Sequence, residues 1–129
     1  MRMRHQAFHC GLLICSLAAS SALAEDKKDT VPDFKRDALP ILEEKCLRCH
    51  GVKRRDGKLD MRSLSSMLIG GESGPAIKPG NAQKSLLIEL IHFNEMPPKK
   101  ETLRVTKEEL ELLRKWINAM PTSLSPFSD

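Results

Sequence analysis

Two cysteines three apart with a histidine directly after, Cys46-Leu47-Arg48-Cys49-His50, carry the most specific chemistry in this chain. On a helical turn, side chains at i, i+3 and i+4 share a face, so both thiols can reach two vinyl groups of one macrocycle while the imidazole points at its metal. That is the spacing that attaches c-type haem covalently. A bare Cys-x-x-Cys would suit a thioredoxin-like redox site or half a zinc site equally well; the adjacent histidine favours haem. The chain has four cysteines, and Cys10 and Cys15 lie in a segment expected to be removed, which leaves Cys46 and Cys49 in the mature protein. A zinc site would have to add His50 and His92, the latter 42 residues downstream and without paired spacing, which is a poor donor set. A Cys46–Cys49 disulfide would close too short a loop to restrain much unfolded chain, and it leaves His50 unexplained.

A haem iron held by His50 on one side needs a second axial ligand if it is to be a closed electron carrier, and Met96 is the leading candidate. It stands in Glu95-Met96-Pro97-Pro98, where the following proline disfavours helical backbone at Met96 and keeps it in an extended loop able to project its sulfur. The separation of 46 positions from His50 to Met96 is enough chain to travel around a haem. Met61 and Met67 read as core packing. Met120 also precedes a proline but ends the last helix, and His92 would give a bis-histidine site of lower potential; these two and an open site are the remaining options.

The elements that must position these groups read as helices joined by glycine- and proline-rich loops. Phe34, Ala38, Ile41, Leu42 and Cys46 recur at roughly helical intervals, with Pro40 either kinking the stretch or opening a second helical segment. Residues 51–57 form a basic loop, 59–69 a short extended piece and then a short helix beginning near Ser63, and Ser85 to Phe93 a short apolar helix. Gly70-Gly71, Gly74-Pro75 and Pro79-Gly80 punctuate the loop between them. The last helix is the best signalled: Thr106-Lys107-Glu108-Glu109 is a capping box, followed by Leu110, Leu113, Trp116 and Ile117 at helical spacing and ended by Met120-Pro121. No strand alternation, internal repeat or low-complexity tract stands out, so the fold class is all-α. Aromatic residues are few and tyrosine is absent, which suits either a core completed by a flat apolar cofactor or a simply aliphatic one.

Residues 1–24 read as a secretory signal peptide, with a basic start at Arg2 and Arg4, an apolar run from Gly11 to Ala19 and a small-x-small site at Ala22-Leu23-Ala24. An uncleaved anchor is the competing reading, but the stretch from Phe8 to Ala24 contains His9 and several serines and is short of a strongly apolar span. Residues 25–32 are then a flexible leader and 33–129 one compact domain. Export to the periplasm or another extracytoplasmic space agrees with covalent haem attachment, which bacteria perform outside the cytoplasm.

Cleavage removes Arg2 and Arg4 and leaves 19 basic against 17 acidic side chains, a balance that does not suggest nucleic-acid binding. Locally, Lys53-Arg54-Arg55 follows the haem-attachment turn and Lys99-Lys100 follows the Met96 loop. Both clusters could rim one exposed haem edge and steer acidic redox partners, or they could be two ordinary solvated loops.

The chain resembles a class I cytochrome c, and more closely the cytochrome c domain described in secreted planctomycete proteins. Beyond Cys46-Leu47-Arg48-Cys49-His50-Gly51, the resemblance rests on Pro40-Ile41-Leu42, Gly70-Gly71-Glu72-Ser73-Gly74-Pro75-Ala76-Ile77, Pro79-Gly80, Lys84-Ser85-Leu86-Leu87-Ile88 and Met96-Pro97-Pro98-Lys99. It implies a small cytochrome c-like fold of three to five helices wrapped around one covalent haem c, in which first and last helices cross, with Leu42 and Trp116 as candidates for that contact. It also implies Cys46 and Cys49 as thioether sites, His50 as proximal ligand and Met96 as distal ligand.

Three function classes follow. The first is an exported monohaem carrier, not an enzyme, that passes single electrons between a donor and an acceptor protein, with association with a membrane redox complex left open. The second is a haem enzyme or gas sensor with a labile distal ligand, and the third a haem-free thiol or metal-binding module.

Overall fold

The computed structural model describes residues 30–124; the signal-peptide reading with Cys10 and Cys15, and most of the leader, lie outside the described residues. The first helical segment starts at Asp33, whose extended backbone lets its carboxylate accept from the N–H groups of Lys35 (2.9 Å) and Arg36 (3.0 Å). Its first stretch, Phe34–Ala38, is π-wound, with the Ala38 N–H reaching back to the Asp33 carbonyl at 3.2 Å. Helix α1, Leu39–Lys45, follows, with Pro40 in its first turn. Of the two expectations for Pro40, the structure takes the second: it opens a new helical segment at a place where a missing N–H costs nothing.

Helix α2, Leu64–Ile69, is capped by Ser63, whose Oγ accepts from the Ser66 N–H at 3.2 Å, and it stops at Gly70. Helix α3 is Leu86–His92 and α4 is Lys107–Asn118. The capping box of α4 is formed in both directions: the Glu109 carboxylate accepts from the Thr106 N–H at 2.7 Å, and the Thr106 hydroxyl accepts from the Glu109 N–H at 3.2 Å. Among the described residues there is no strand, only two isolated bridges, His50 with Arg55 and Gly71 with Gly74. Over the described residues the fold is all-α, with four α-helices and three short 3₁₀ turns.

The core that holds these helices is aliphatic, built around the fully buried Leu42, Met67, Ile77, Ile88, Leu113 and Ile117. The π-wound segment and α4 meet there. Phe34 stacks on Trp116 with ring centroids 5.6 Å apart and planes 26° from parallel, and this ring pair carries the contact while Leu42 is buried in the same core. The other side of α4 receives the loop before α3, through Gly80 N–H to the Ile117 carbonyl (2.9 Å) and Ala82 N–H to the Asn118 side-chain oxygen (2.8 Å). Ser85, fully buried, is satisfied within that loop: its hydroxyl accepts from the Lys78 N–H at 2.8 Å and donates to the Asn81 carbonyl at 2.9 Å. The packing of α1, α3 and α4 therefore sets the positions of the loops between them.

Candidate functional site

The end of α1 turns directly into the Cys-x-x-Cys-His segment. The carbonyl of Cys46 accepts from the N–H groups of both Cys49 and His50 at 3.0 Å, the helical turn that places the two thiols and the imidazole on one face. Gly51 follows because nothing larger fits: a Cβ there would lie 2.3 Å from the Leu47 carbonyl oxygen. The chain then folds back on the turn. Asp56 N–H bonds the Cys49 carbonyl (3.0 Å), Met61 N–H bonds the His50 carbonyl (2.9 Å), and Arg54 grips the Asp56 carboxylate at 2.5 Å.

This return loop orients the histidine. Nδ1 of His50 lies 3.0 Å from the Asp56 carbonyl oxygen, which can only accept a hydrogen bond. Nδ1 therefore carries the proton, and Nε2 is left with a free lone pair, the tautomer a metal-ligating imidazole needs. The Cys46 thiol is held in its protonated form. Burial, and then the neighbouring Cys49, push the Cys46 thiol up to about 12, whereas catalytic thiols are held low so as to ionise near neutrality.

Met96 reaches the same place from the other end of the sequence. After α3, Asn94 takes a left-handed conformation (φ 58°), and the Leu90 carbonyl accepts from the N–H groups of both Glu95 (2.8 Å) and Met96 (3.1 Å). The Met96–Pro97 peptide is cis.

Cys46, Cys49, His50 and Met96 all border one cavity of about 310 Å³. Leu59, Leu87, Leu90, Ile91 and Pro97 supply apolar wall, and the backbone of Gly71 and Gly74 forms part of the boundary. The volume falls in the range of small-molecule and cofactor pockets. Two thiols, an imidazole whose Nε2 keeps its lone pair and a thioether border one partly apolar cavity, and these are the residue types that c-type haem attachment and iron ligation use.

The competing ligands are placed elsewhere. His92 is the last residue of α3, exposed and in edge contact with Phe93 at 5.1 Å, and it does not border the cavity. Met67 and Met120 are buried in the core and do not border it either. Met61 does border it, with its backbone tied to His50, so the reading of Met61 as packing acquires a place: it is packing against the cavity. No group of three or more histidine, cysteine or carboxylate side chains among the described residues could hold a metal ion.

Of the basic clusters, Arg54 and Lys100 border the cavity; Arg54 is engaged by Asp56, and Arg55 lies 3.5 Å from Asp60. Lys100 makes no ion pair among the described residues. Two residues that the sequence reading left aside also belong to the site's surroundings. Arg104 donates to backbone carbonyls of the Met96 loop, and the largely buried Lys45 donates to the Arg104 carbonyl at 3.0 Å. A lone arginine between a threonine-leucine pair and a valine carries no motif that would have marked it.

No curated protein and no solved structure shows a significant match to the chain. Residues 46–100 match the family model described as Planctomycete cytochrome C. The matched stretch runs from the first thiol to the lysines after the Met-Pro-Pro loop and contains Cys46, Cys49, His50 and Met96; the match supports a cytochrome c-type domain over this part of the chain.

Proposed function

We propose that this protein is an exported monohaem c-type cytochrome that passes single electrons between redox protein partners. Cys46 and Cys49 hold the haem covalently, and His50 and Met96 are its axial ligands. The observation that supports this reading best is that one cavity is bordered by both thiols, His50 and Met96, while His92, Met67 and Met120 stand away from it. The haem, when bound, supplies an iron centre that alternates between ferric and ferrous states.

The protein's own residues do the rest. Asp56 fixes the His50 tautomer through its carbonyl, aliphatic side chains give the cavity an apolar wall, and a thioether at the distal position favours the ferrous state relative to a second imidazole. For docking, Lys100 at the cavity border, with Lys53 and Lys99 nearby in sequence to the two cavity segments, suits an acidic partner surface.

The test is to express the full-length precursor with a haem-maturation apparatus and record oxidised and reduced absorbance spectra. Covalently retained haem with the weak ferric band of methionine sulfur ligation, absent in Met96→Ala, is the expected result. Covalent haem without that band, or rapid binding of carbon monoxide by the ferrous protein, would replace the carrier by an open haem enzyme or sensor. Absence of haem would overturn the proposal.

A further inference from the structure

Backbone hydrogen bonds hold the Met96 loop to α3 as far as the methionine, through the Leu90 carbonyl, and beyond it the Glu101 N–H meets the Pro98 carbonyl at 2.8 Å. Pro97 and Pro98 lack N–H groups, so the segment on the far side of the methionine can be anchored through its carbonyls alone. Arg104 meets that need. Its Nη1 donates to the carbonyls of Pro97 and Pro98 (3.1 Å for the latter), and its Nη2 donates to the carbonyl of Asn94 at 3.2 Å, with the Asn94 side-chain oxygen at 3.5 Å. One rigid guanidinium thus brackets Met96 from both sides in sequence without taking part in the ligand set. Arg104 forms no ion pair among the described residues; its donors go to neutral oxygens of this loop, backbone ones and the Asn94 side chain.

Arg104 is itself tethered to the opposite end of the site. Its carbonyl accepts from Lys45 Nζ at 3.0 Å, and that ammonium, on a side chain only 8% exposed, sits 3.3 Å from Glu109, the carboxylate that also closes the α4 capping box. Lys45 ends α1 and immediately precedes Cys46. A continuous polar path therefore joins the attachment turn, the start of α4 and the methionine loop, all through atoms of this chain.

We infer that Arg104 is a positioning residue for the distal ligand, clamping the 94–98 loop at a fixed distance from the Cys46–His50 turn so that the Met96 sulfur is held where it can bind iron. The inference rests on the His50/Met96 reading. Its physical content is preorganisation: a thioether is a weak ligand, and whether it stays bound against competitors depends on how much freedom the unbound loop would gain. Charge-assisted hydrogen bonds to backbone carbonyls are the strong class, and losing several of them at once releases the loop.

The test uses the ferric holoprotein and compares Arg104→Ala, Arg104→Gln and Met96→Ala, with Leu113→Ala as a control that destabilises the core at a fully buried position away from the cavity. Exogenous imidazole displaces the methionine, and its affinity reports how firmly the sulfur is held. Expected are an imidazole affinity raised at least about tenfold in Arg104→Ala, a smaller rise in Arg104→Gln, a lower reduction potential and a weakened sulfur band, with Leu113→Ala near the parent on all three. If Arg104→Ala does not accumulate, the same rise in Arg104→Gln supports the inference and a parent-like value overturns it. Parent-like behaviour of both arginine variants while Met96→Ala loses the band would overturn the clamp and leave the ligation intact. An equal rise in Leu113→Ala would assign the effect to general loosening and overturn the clamp as well. A sulfur band that survives in Met96→Ala would instead overturn the ligation reading beneath it.

Discussion

Gly71 offers the sharpest test of how the cavity is built, because its close contacts are with backbone and no side-chain rotation can relieve them. A Cβ at this position would lie 2.3 Å from the Gly57 carbonyl oxygen and 3.0 Å from the Leu59 nitrogen, so the two segments would have to separate by roughly 1 Å to restore ordinary contact. That separation strains the hydrogen bond from the Glu72 N–H to the same Gly57 oxygen, now 2.7 Å. Overpacking of about 1–3 kcal/mol and a lost hydrogen bond of about 1 kcal/mol together give a destabilisation of about 2–4 kcal/mol for Gly71→Ala. Gly57→Ala is the matched comparison: its φ is +62°, but an added Cβ meets nothing within 4 Å, so the cost is the left-handed backbone alone, about 1 kcal/mol. Guanidinium unfolding of the ferric holoprotein, followed by far-ultraviolet circular dichroism, measures both. The 57–59 segment leads back to the Asp56 carbonyl that orients His50, so the Gly71 variant should also shift the haem absorbance spectrum while the Gly57 variant should not. A Gly71→Ala protein as stable as Gly57→Ala, with an unaltered spectrum, would refute the claim that glycine is required here by close approach.

Thr106→Ala removes one half of the α4 capping box and should lower stability by about 1 kcal/mol, read as a fall in Tm with unchanged spectra. Asp60 is held down to about 2, first by its hydrogen bonds to Arg62 and with help from Arg55, so the folded state favours the carboxylate more than the unfolded chain does. Its contribution is present above the ordinary carboxylate value of 3.8 and is lost as pH falls toward 2. Asp60→Asn should therefore be less stable than the parent near neutrality, by on the order of 1 kcal/mol for a surface pair, and converge with it at the acid end of a pH series of urea unfolding curves. Lys100→Glu should slow electron exchange with an acidic redox protein at low ionic strength and flatten the salt dependence of the rate; equal rates at every salt concentration would remove Lys100 from the docking surface.

Short-range features were legible from the chain alone wherever one local rule governed them. The Thr106–Glu109 box, the Ser63 cap of α2, the helix over 86–92 and the Cys-x-x-Cys-His turn each depend on residues no more than about a turn apart, and each is formed as its residue types require. Pro40 was ambiguous because the same missing N–H permits a kink or a fresh start, and the π-wound turn before it settles the choice. The contact between the first and last helices was expected of Leu42 and Trp116, but the ring pair is Phe34 with Trp116, since which face of a helix meets a distant partner depends on crossing angle and not on spacing.

What the sequence by itself determined is the donor set and its chemistry. Thiols at 46 and 49, imidazole at 50 and a thioether ahead of two prolines are choices of residue type, and the atoms they can offer to a metal or a covalent link are intrinsic to those types. What only the tertiary structure decided is which donors share a space. Met96 borders the cavity and His92, four residues earlier, does not, because α3 ends between cavity and solvent and turns its last residue outward. Likewise Arg104 and Lys45 carry no signature, and their role arises from hydrogen bonds to backbone carbonyls that exist only once the loop, α1 and α4 are packed together. Backbone acceptors are the same for every residue, so no pattern of side chains along the chain can announce them.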